Sequence, residues 1–404
     1  MIGETGFDVA RLFPAPEFSV FSNAAVAALE AETTAPLREA IGRDGTTSRR
    51  ELAAFAASIQ GVAPFLATLP DAGSLPADVA AFLAAERRTS AARAEVLRRT
   101  LLETSAALAT EEIGVVALKG AVLAFRDEPE PGLRPMGDLD LLLTDPSRLP
   151  AATRLLMERG WRVALDTPRH RVFAREDERV VRPACEDPRN PVRVELHVSF
   201  RIPVLGRTYD ATAALVAAAE PFDAGGGRVL GASGNALLRH LLFHAAEDFA
   251  ARGLRGIQAH DFRRVARRTG PLRLVLSPAD TRAGLAPLAF AADAVERLFP
   301  QSFDAAWLTS LCASVPGRFL ARAAGISPLR HTRPPRGWST TALSLVESPG
   351  KKARFLVRTS FPTLGEVKAN TAPEASGVAL AAAWLRVFLS RAGAVRRQPP
   401  ESSR

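Results

Sequence analysis

The sequence predicts an α+β protein in which a small mixed sheet with flanking helices is embedded in largely α-helical N- and C-terminal regions. Residues 137–143 and 192–198 alternate apolar and polar side chains with the period of two that a strand produces. Residues 24–110 are rich in alanine, leucine and arginine and are interrupted by prolines, a pattern typical of several amphipathic helices. Residues 237–244 begin a strongly apolar helix.

The first region, residues 1–110, is predicted to be helical. Its clearest part runs from Asp78 to Leu108, where apolar residues recur at helical spacing and Asp78 is a candidate N-cap. A helix must bury its apolar stripe, so we favour a helical layer that covers the sheet over a platform for a substrate or partner.

The predicted core, residues 111–205, begins with a short apolar strand at 115–118. Lys119 and Gly120 follow, and then a helix-compatible segment, 121–125. A strand, a turn and a helix in this order bring backbone N–H groups and the positive end of a helix to a phosphate.

Two aspartates mark the next strand. In residues 137–143, strand geometry places Asp138 and Asp140 on one face and leucines on the other. Two carboxylates at this spacing repel each other unless a cation lies between them. The pattern therefore indicates a hard divalent ion, Mg2+, held by carboxylates and the phosphates of a substrate.

Further elements complete the predicted core. Asp145 signals the start of a helix over residues 149–159, which Gly160 ends. Residues 161–165 are predicted to form a strand, and residues 171–173 and 179–181 short strands of a meander, with His170 on the surface.

A third acidic residue follows. Residues 192–198 place Arg193, Glu195 and His197 on one face and apolar residues on the other. The apolar face must be buried in the sheet, which leaves Glu195 on the face that carries the two aspartates.

Residues 206–326 are predicted to be a helical region that packs on the core. His240 and His244 lie four residues apart on one helical face, which we interpret as a packed face rather than a zinc site. Asp261 lies on a following helix. Residues 327–404 are predicted to contain a linker, C-terminal helices and a disordered tail.

Composition limits the class of protein. The chain has 404 residues, 47% of them hydrophobic, enough for a large core, and a net charge of +9 that comes mainly from arginine. We discount this charge as evidence for nucleic acid, although a polyanionic partner remains open. The two cysteines, the lack of an export signal at the start and the lack of a membrane span favour a cytoplasmic protein.

The order of these motifs resembles the polymerase-beta-like nucleotidyltransferase superfamily, and more closely the uncharacterised bacterial nucleotidyltransferase family proteins. The matching features are Leu118-Lys119-Gly120, Arg134, the Asp138 to Asp140 strand and Glu195-Leu196-His197. The resemblance implies transfer of a nucleotidyl group from a nucleoside triphosphate (NTP) to an unidentified hydroxyl-type acceptor, with Mg2+ or alternatively Mn2+ as cofactor.

The resemblance also implies a role for each matching residue. Asp138, Asp140 and Glu195 would bind metal and be catalytic, and Lys119, Gly120 and Arg134 would bind the nucleotide. The other implied cleft residues are His197, His240, His244 and Asp261.

One position departs from the superfamily pattern. Ala121 stands where relatives carry a serine after the glycine. This keeps open a non-catalytic binding protein with the same fold, and an antitoxin-like or pathway partner. A tRNA or poly(A) nucleotidyltransferase is favoured only by charge, because the basic segments lack interleaved aromatic residues.

Overall fold

A computed structural model of the protein describes residues 17–42, 45–128, 130–175, 190–329, 343–346 and 348–350 and the single residues 352 and 385. The strand predicted at residues 179–181, Cys185 and most of the region predicted from residue 327 lie outside these residues.

The described part of residues 1–110 is helical, in agreement with the predicted prefix. Its helices are α1 (Phe18–Glu30), α2 (Ala35–Ile41), α3 (Thr47–Ile59), α4 (Ala63–Leu66) and α5 (Ala77–Ala109). The prediction of Asp78 as the N-cap of α5 was wrong. Pro76 precedes the helix, so that Asp78 falls in its first turn, where the carboxylate pairs with Arg50 at 2.7 Å.

A mixed sheet follows the helical prefix. The strands are β1 (Val115–Ala117), β2 (Leu139–Leu143), β3 (Trp161–Asp166), β4 (His170–Arg175), β5 (Arg193–His197), β6 (Arg201–Val204), β7 (Arg207–Asp210), β8 (Ala219–Asp223) and β9 (Arg228–Ala232). Seven of them form one sheet in the order β3-β4-β5-β2-β1-β9-β8, and β6 and β7 form a separate hairpin. Strand β2 runs parallel to β5 and antiparallel to β1, and it lies at the centre of the sheet.

The sheet is larger than predicted and continues past residue 205, where we expected it to end. The hairpin of β8 and β9 joins it through parallel pairing of β9 with β1. Pro221 and Gly231 hid these strands, because both residue types disfavour strands. Gly231 is needed here, since a Cβ atom at this position would lie 2.6 Å from the ring of Phe222.

The remaining helices cover the sheet and continue the chain. They are α6 (Lys119–Phe125), α7 (Leu149–Glu158), α8 (Thr212–Ala217), α9 (Gly234–Arg252), α10 (Gly256–Thr269), α11 (Pro278–Ala283), α12 (Ala286–Leu298), α13 (Ala305–Ala313) and α14 (Gly317–Ala324). Buried side chains from the helical prefix, the sheet and helices α9, α10 and α12 form one continuous core. Across the described residues, no helix has both the length and the apolar character needed to cross a membrane.

Candidate active site

The turn between β1 and α6 brings a lysine to the centre of the sheet. The backbone N–H of Leu118 donates to the carbonyl oxygen of Asp140 at 3.0 Å, which fixes the end of β1 against β2. Lys119 then adopts φ +43°, a left-handed conformation that turns the chain into α6. Gly120 is required by close packing, because a Cβ atom there would lie 2.8 Å from both the Arg134 guanidinium and the Met136 sulfur.

Strands β2 and β5 bring the acidic residues together. In their parallel register, Asp140 is the direct partner of Glu195, and Leu142 is the partner of His197. Asp140, Glu195 and His197 each offer one ligand atom, and these atoms lie within 4.8 Å of one another. The structure therefore brings Glu195 beside Asp140, although 54 residues separate them in the chain.

Asp140 is the centre of a hydrogen-bonded network. Its Oδ1 atom accepts from Lys119 Nζ at 3.0 Å and lies 2.9 Å from His197 Nε2. Burial favours the neutral acid, but the Lys119 ammonium and the His197 contact outweigh it and hold the pKa of Asp140 well below its usual range. Burial in turn lowers the pKa of His197, which therefore stays a neutral imidazole at pH 7.

The two other carboxylates of the site, Glu195 and Asp138, have raised pKa values, in contrast to Asp140. Desolvation in the cleft and then the Asp140 and Asp138 charges raise the pKa of Glu195 to about 8. Desolvation and then the Asp140 charge also raise the pKa of Asp138, which precedes β2 and is the more exposed of the two aspartates. The site thus concentrates acidic groups that repel one another, an arrangement that a bound cation relieves.

These acids line a cleft of about 370 Å3, which we call the main cleft. The central strands β2 and β5 and the segments next to β1 and β2 form one wall, which supplies Lys119, Asp138, Asp140 and Glu195. Helices α9 and α10 form the opposite wall. Its polar residues are His244, Asp248, Arg255, Gln258 and Asp261.

Arg134 contacts this opposite wall. Its guanidinium donates to both carboxylate oxygens of Asp261, at 3.0 and 2.7 Å. The two residues are 8% and 2% exposed. Arg134 was predicted to bind nucleotide and also lines the main cleft, but in this structure the pair links the segment before β2 to α10.

This buried pair gives a stability prediction. We expect Asp261→Leu to lower the free energy of unfolding by about 3 to 5 kcal/mol, because it leaves the Arg134 charge buried without a partner. Urea denaturation measures the change. Arg134→Met combined with Asp261→Leu should recover part of the loss, and Glu158→Gln, which breaks an exposed ion pair, should cost under about 1 kcal/mol. A single variant as stable as the wild type would contradict the prediction.

The histidines of α9 occupy different environments. His244 lines the main cleft, with Nδ1 3.3 Å from both Asp248 Oδ2 and Gln258 Nε2. His240 is fully buried and packs edge-to-face on Phe200, with ring centroids 4.1 Å apart. His240 therefore belongs to the packed face that the sequence predicted, and the expectation that it lines the cleft was wrong.

Sequence reasoning missed His170. It placed this residue on the surface, but β4 pairs with β5 so that His170 lies opposite His197, with ring centroids 5.0 Å apart. Desolvation and the neighbouring His197 lower the pKa of His170 to about 4. The antiparallel register of β4 and β5 brings the two histidines together. The sequence pattern of each strand taken separately does not reveal this register.

Sequence reasoning also missed Arg93 on α5, which is 1% exposed. Its guanidinium donates to the backbone carbonyls of Gly137 and Asn190, both at 2.6 Å, and of Pro191 at 3.0 Å. These carbonyls lie just before β2 and β5. Arg93 thus fastens the helical prefix to the two strands that carry the acidic residues.

Comparison with known protein families gives a match over the part of the chain that contains this site. A family model described as "Uncharacterised nucleotidyltransferase" matches residues 50–299. The match covers more than half of the chain and contains the whole sheet, the acidic residues and both walls of the main cleft. No curated protein matches the chain. The chain belongs to the family of uncharacterised nucleotidyltransferases.

Proposed function

We propose that this protein is a Mg2+-dependent nucleotidyltransferase with a polymerase-beta-like core, which transfers a nucleotidyl group from an NTP to a hydroxyl-type acceptor. The observation that carries the proposal is the meeting of Asp138, Asp140 and Glu195 at one cleft in a chain of this family. The order of β1, α6, β2 and β5 in the chain supports the superfamily assignment.

The donor atoms fit a divalent cation. The ligand atoms of Asp140, Glu195 and His197 lie within 4.8 Å of one another. Ligands about 2.0 to 2.1 Å from Mg2+ lie roughly 3 to 4 Å apart, so Asp140 and Glu195 need only a small contraction to share an ion. Asp138, Asp140 and Glu195 supply oxygen, which Mg2+ prefers. His197 contacts Asp140 and orients its carboxylate, as residues behind metal ligands commonly do. When bound, the metal supplies Lewis-acid stabilisation of the phosphates.

Lys119 is assigned to the triphosphate. In the metal-free site, its ammonium stabilises Asp140, and its pKa is raised because the attraction of the three carboxylates outweighs burial. If Asp140 held a cation, the Lys119 ammonium would no longer be its main counter-ion and would be available to bind phosphate oxygens as a compact positive charge. The backbone N–H of Ala121 donates to the carbonyl oxygen of Leu118, so it adds nothing to the phosphate site.

Glu195 is assigned to the acceptor. Its carboxylate lies beside Asp140 and lines the main cleft, so it is placed to accept the proton of a hydroxyl that approaches the phosphates. The acceptor oxygen forms a bond to the α-phosphorus, the bond from that phosphorus to pyrophosphate breaks, and the hydroxyl proton passes to Glu195.

Ala121 is the specific observation that favours a non-catalytic binding protein, which is the alternative function. This residue is 1% exposed and packs in the core. A serine at the same place would need a different local backbone to reach the main cleft, so its absence also agrees with an active enzyme that holds the phosphates by other groups.

We expect Mg2+ and an NTP together to raise the thermal midpoint of the wild-type protein, because a ligand that binds only the folded state stabilises it. Chelation with EDTA should reverse the shift, and Asp138→Asn combined with Asp140→Asn should abolish it. The same samples are tested with each labelled NTP for transfer to a panel of hydroxyl compounds. NTP binding without transfer to any acceptor would favour the binding protein, and failure to bind any NTP would contradict the proposal.

A further inference from the structure

A second cavity of about 160 Å3 opens beside the acidic residues. The turn between β3 and β4, the segment after β5 and helix α9 surround it. The residues that belong to this second cavity and not to the main cleft include Arg169, His170, Ser199, Phe200, Arg201 and Glu247.

The two cavities meet at the proposed reaction centre. Lys119, Glu195 and His244 line both of them, whereas Asp138 and Asp140 line only the main cleft. A molecule in the second cavity would therefore reach the Glu195 carboxylate without occupying the part of the main cleft that the aspartates line. Its hydroxyl would then lie next to a nucleotide bound in the main cleft.

The two cavities differ in volume and can therefore hold ligands of different size. The main cleft, at about 370 Å3, lies within the roughly 300 to 1,000 Å3 of ordinary ligand pockets. The second cavity, at about 160 Å3, resembles the roughly 150 Å3 cavity that holds a benzene molecule. It therefore has room for a group of about six heavy atoms and is too small for a nucleoside triphosphate.

Arg169 gives the second cavity an uncompensated positive charge. The ammonium of Lys119 pairs with Asp140, and the guanidinium of Arg201 pairs with Asp210 at 2.8 Å. Within the described ranges, no carboxylate pairs with Arg169, whose side chain donates to the carbonyl oxygen of Arg201 at 2.8 Å. An acidic ligand would satisfy this charge.

The backbone holds Arg169 in place. Its carbonyl oxygen accepts from the N–H of Val198 at 2.9 Å, which fixes the β3–β4 turn against the end of β5. Its side chain is exposed, and its one hydrogen bond, to the carbonyl oxygen of Arg201, directs the guanidinium towards the cavity wall that Arg201 helps to form.

Two glutamates also line this cavity, Glu195 and Glu247. Glu247 on α9 is half-buried and, in the part of the chain that the structure describes, makes no ion pair or hydrogen bond. Glu247 and Glu195 both repel an anion, and Arg169 attracts it. A ligand with an acidic group at one end and a hydroxyl at the other is therefore oriented with its hydroxyl towards the carboxylates.

We propose that the second cavity binds the acceptor, and that the acceptor is a small molecule or chain end whose carboxylate or phosphate is held by Arg169 while its hydroxyl faces Glu195. The name acceptor rests on the proposed function. In the transfer, that hydroxyl loses its proton to Glu195, its oxygen bonds to the α-phosphorus and pyrophosphate leaves.

The test uses three-carbon probes of suitable size. Glycerate, glycerol 3-phosphate and glycerol are titrated calorimetrically into the full chain without added metal, so that the aspartates hold no phosphate. We expect one or both acids to bind at least tenfold more tightly than glycerol, and the two acids distinguish a carboxylate site from a phosphate site. Arg169→Gln should weaken acid binding at least tenfold. Arg99→Gln, at an exposed position of α5, should not.

Acids that bind no better than glycerol, or that bind Arg169→Gln as tightly as the wild type, would overturn the proposal. Binding of ATP with Mg2+ is measured on the same preparations and should be equal in the wild type and Arg169→Gln. Acid binding without nucleotide binding would contradict the proposed function but leave the anion site standing. Nucleotide binding without acid binding would have the opposite meaning.

Discussion

We expect Asp140→Asn to abolish metal binding and to lower the free energy of unfolding by about 3 kcal/mol. Asp138→Asn should abolish metal binding without lowering the stability of the metal-free protein. Asp140 is 8% exposed and is the partner of Lys119, so removing its charge leaves a largely buried ammonium without its counter-ion. The estimate takes the low end of the cost of breaking a buried pair, because asparagine still offers an accepting oxygen.

Asp138 differs because its pKa is raised. A carboxylic acid whose folded-state pKa exceeds its unfolded value binds its proton more tightly in the folded state. Its ionised form therefore opposes folding once the pH rises above the unfolded pKa. Asparagine removes this charge, so the thermal midpoint of Asp138→Asn without metal should be unchanged or higher.

The ionised form of Asp140, in contrast, stabilises the folded protein. Its lowered folded-state pKa contributes stability above the unfolded pKa, and that stability is lost as the pH falls towards the folded pKa. If repulsion between the aspartates were the only effect, replacing both would leave the metal-free midpoint unchanged or higher. The Lys119 contact changes this expectation for Asp140.

Calorimetric titration with Mg2+ or Mn2+ measures affinity, and thermal and urea denaturation without metal measure stability. Glu220→Gln, which removes an exposed carboxylate on β8, is the matched control and should alter neither. If either aspartate variant kept its affinity for metal, the replaced aspartate would not be a metal ligand. An Asp140→Asn protein as stable as the wild type would show that the Lys119 pair contributes nothing.

Local patterns in the sequence predicted strands and helices well. They did not predict which residues contact each other across the fold. The alternation around Glu195 is a property of a few neighbouring residues, so it could be read directly, and β5 lies where it was expected. The parallel register that sets Glu195 opposite Asp140 depends on the whole sheet. The pairing of Arg134 with Asp261 joins residues 127 positions apart and has no local signature.

In the helical prefix, too, the helices could be predicted from the sequence but their tertiary contacts could not. Its helices followed from composition and spacing, and the interpretation as a layer over the sheet agrees with the continuous core. Nothing in the pattern distinguishes Arg93 from the exposed arginines of the same helix, such as Arg88 and Arg99. Its burial depends on the loops that pack against α5, which only the tertiary structure reveals.

Arg93→Met is expected to lower the free energy of unfolding by about 4 kcal/mol. Hydrogen bonds to a charged group contribute about 1.5 to 3 kcal/mol each, and a buried carbonyl left without a donor costs about 1 to 3 kcal/mol. Arg93 donates to three carbonyls, of which the bond to Asn190 is buried and those to Gly137 and Pro191 are partly buried. Arg93→Lys keeps the charge but cannot span the same acceptors with one ammonium, so an intermediate loss is expected. Urea denaturation of both variants measures the effect.

The same substitution should also weaken the metal site, because Gly137 directly precedes Asp138 and the carbonyls of Asn190 and Pro191 fix the approach to β5. In Arg93→Lys, measured where the protein is fully folded, we expect Mg2+ affinity to fall severalfold, since the carboxylates are no longer held in register. Arg99→Met on the exposed face of α5 should change neither stability nor affinity. If Arg93→Lys lost stability but bound Mg2+ like the wild type, Arg93 would serve only to attach the helix, and the carboxylate geometry would depend on the sheet alone.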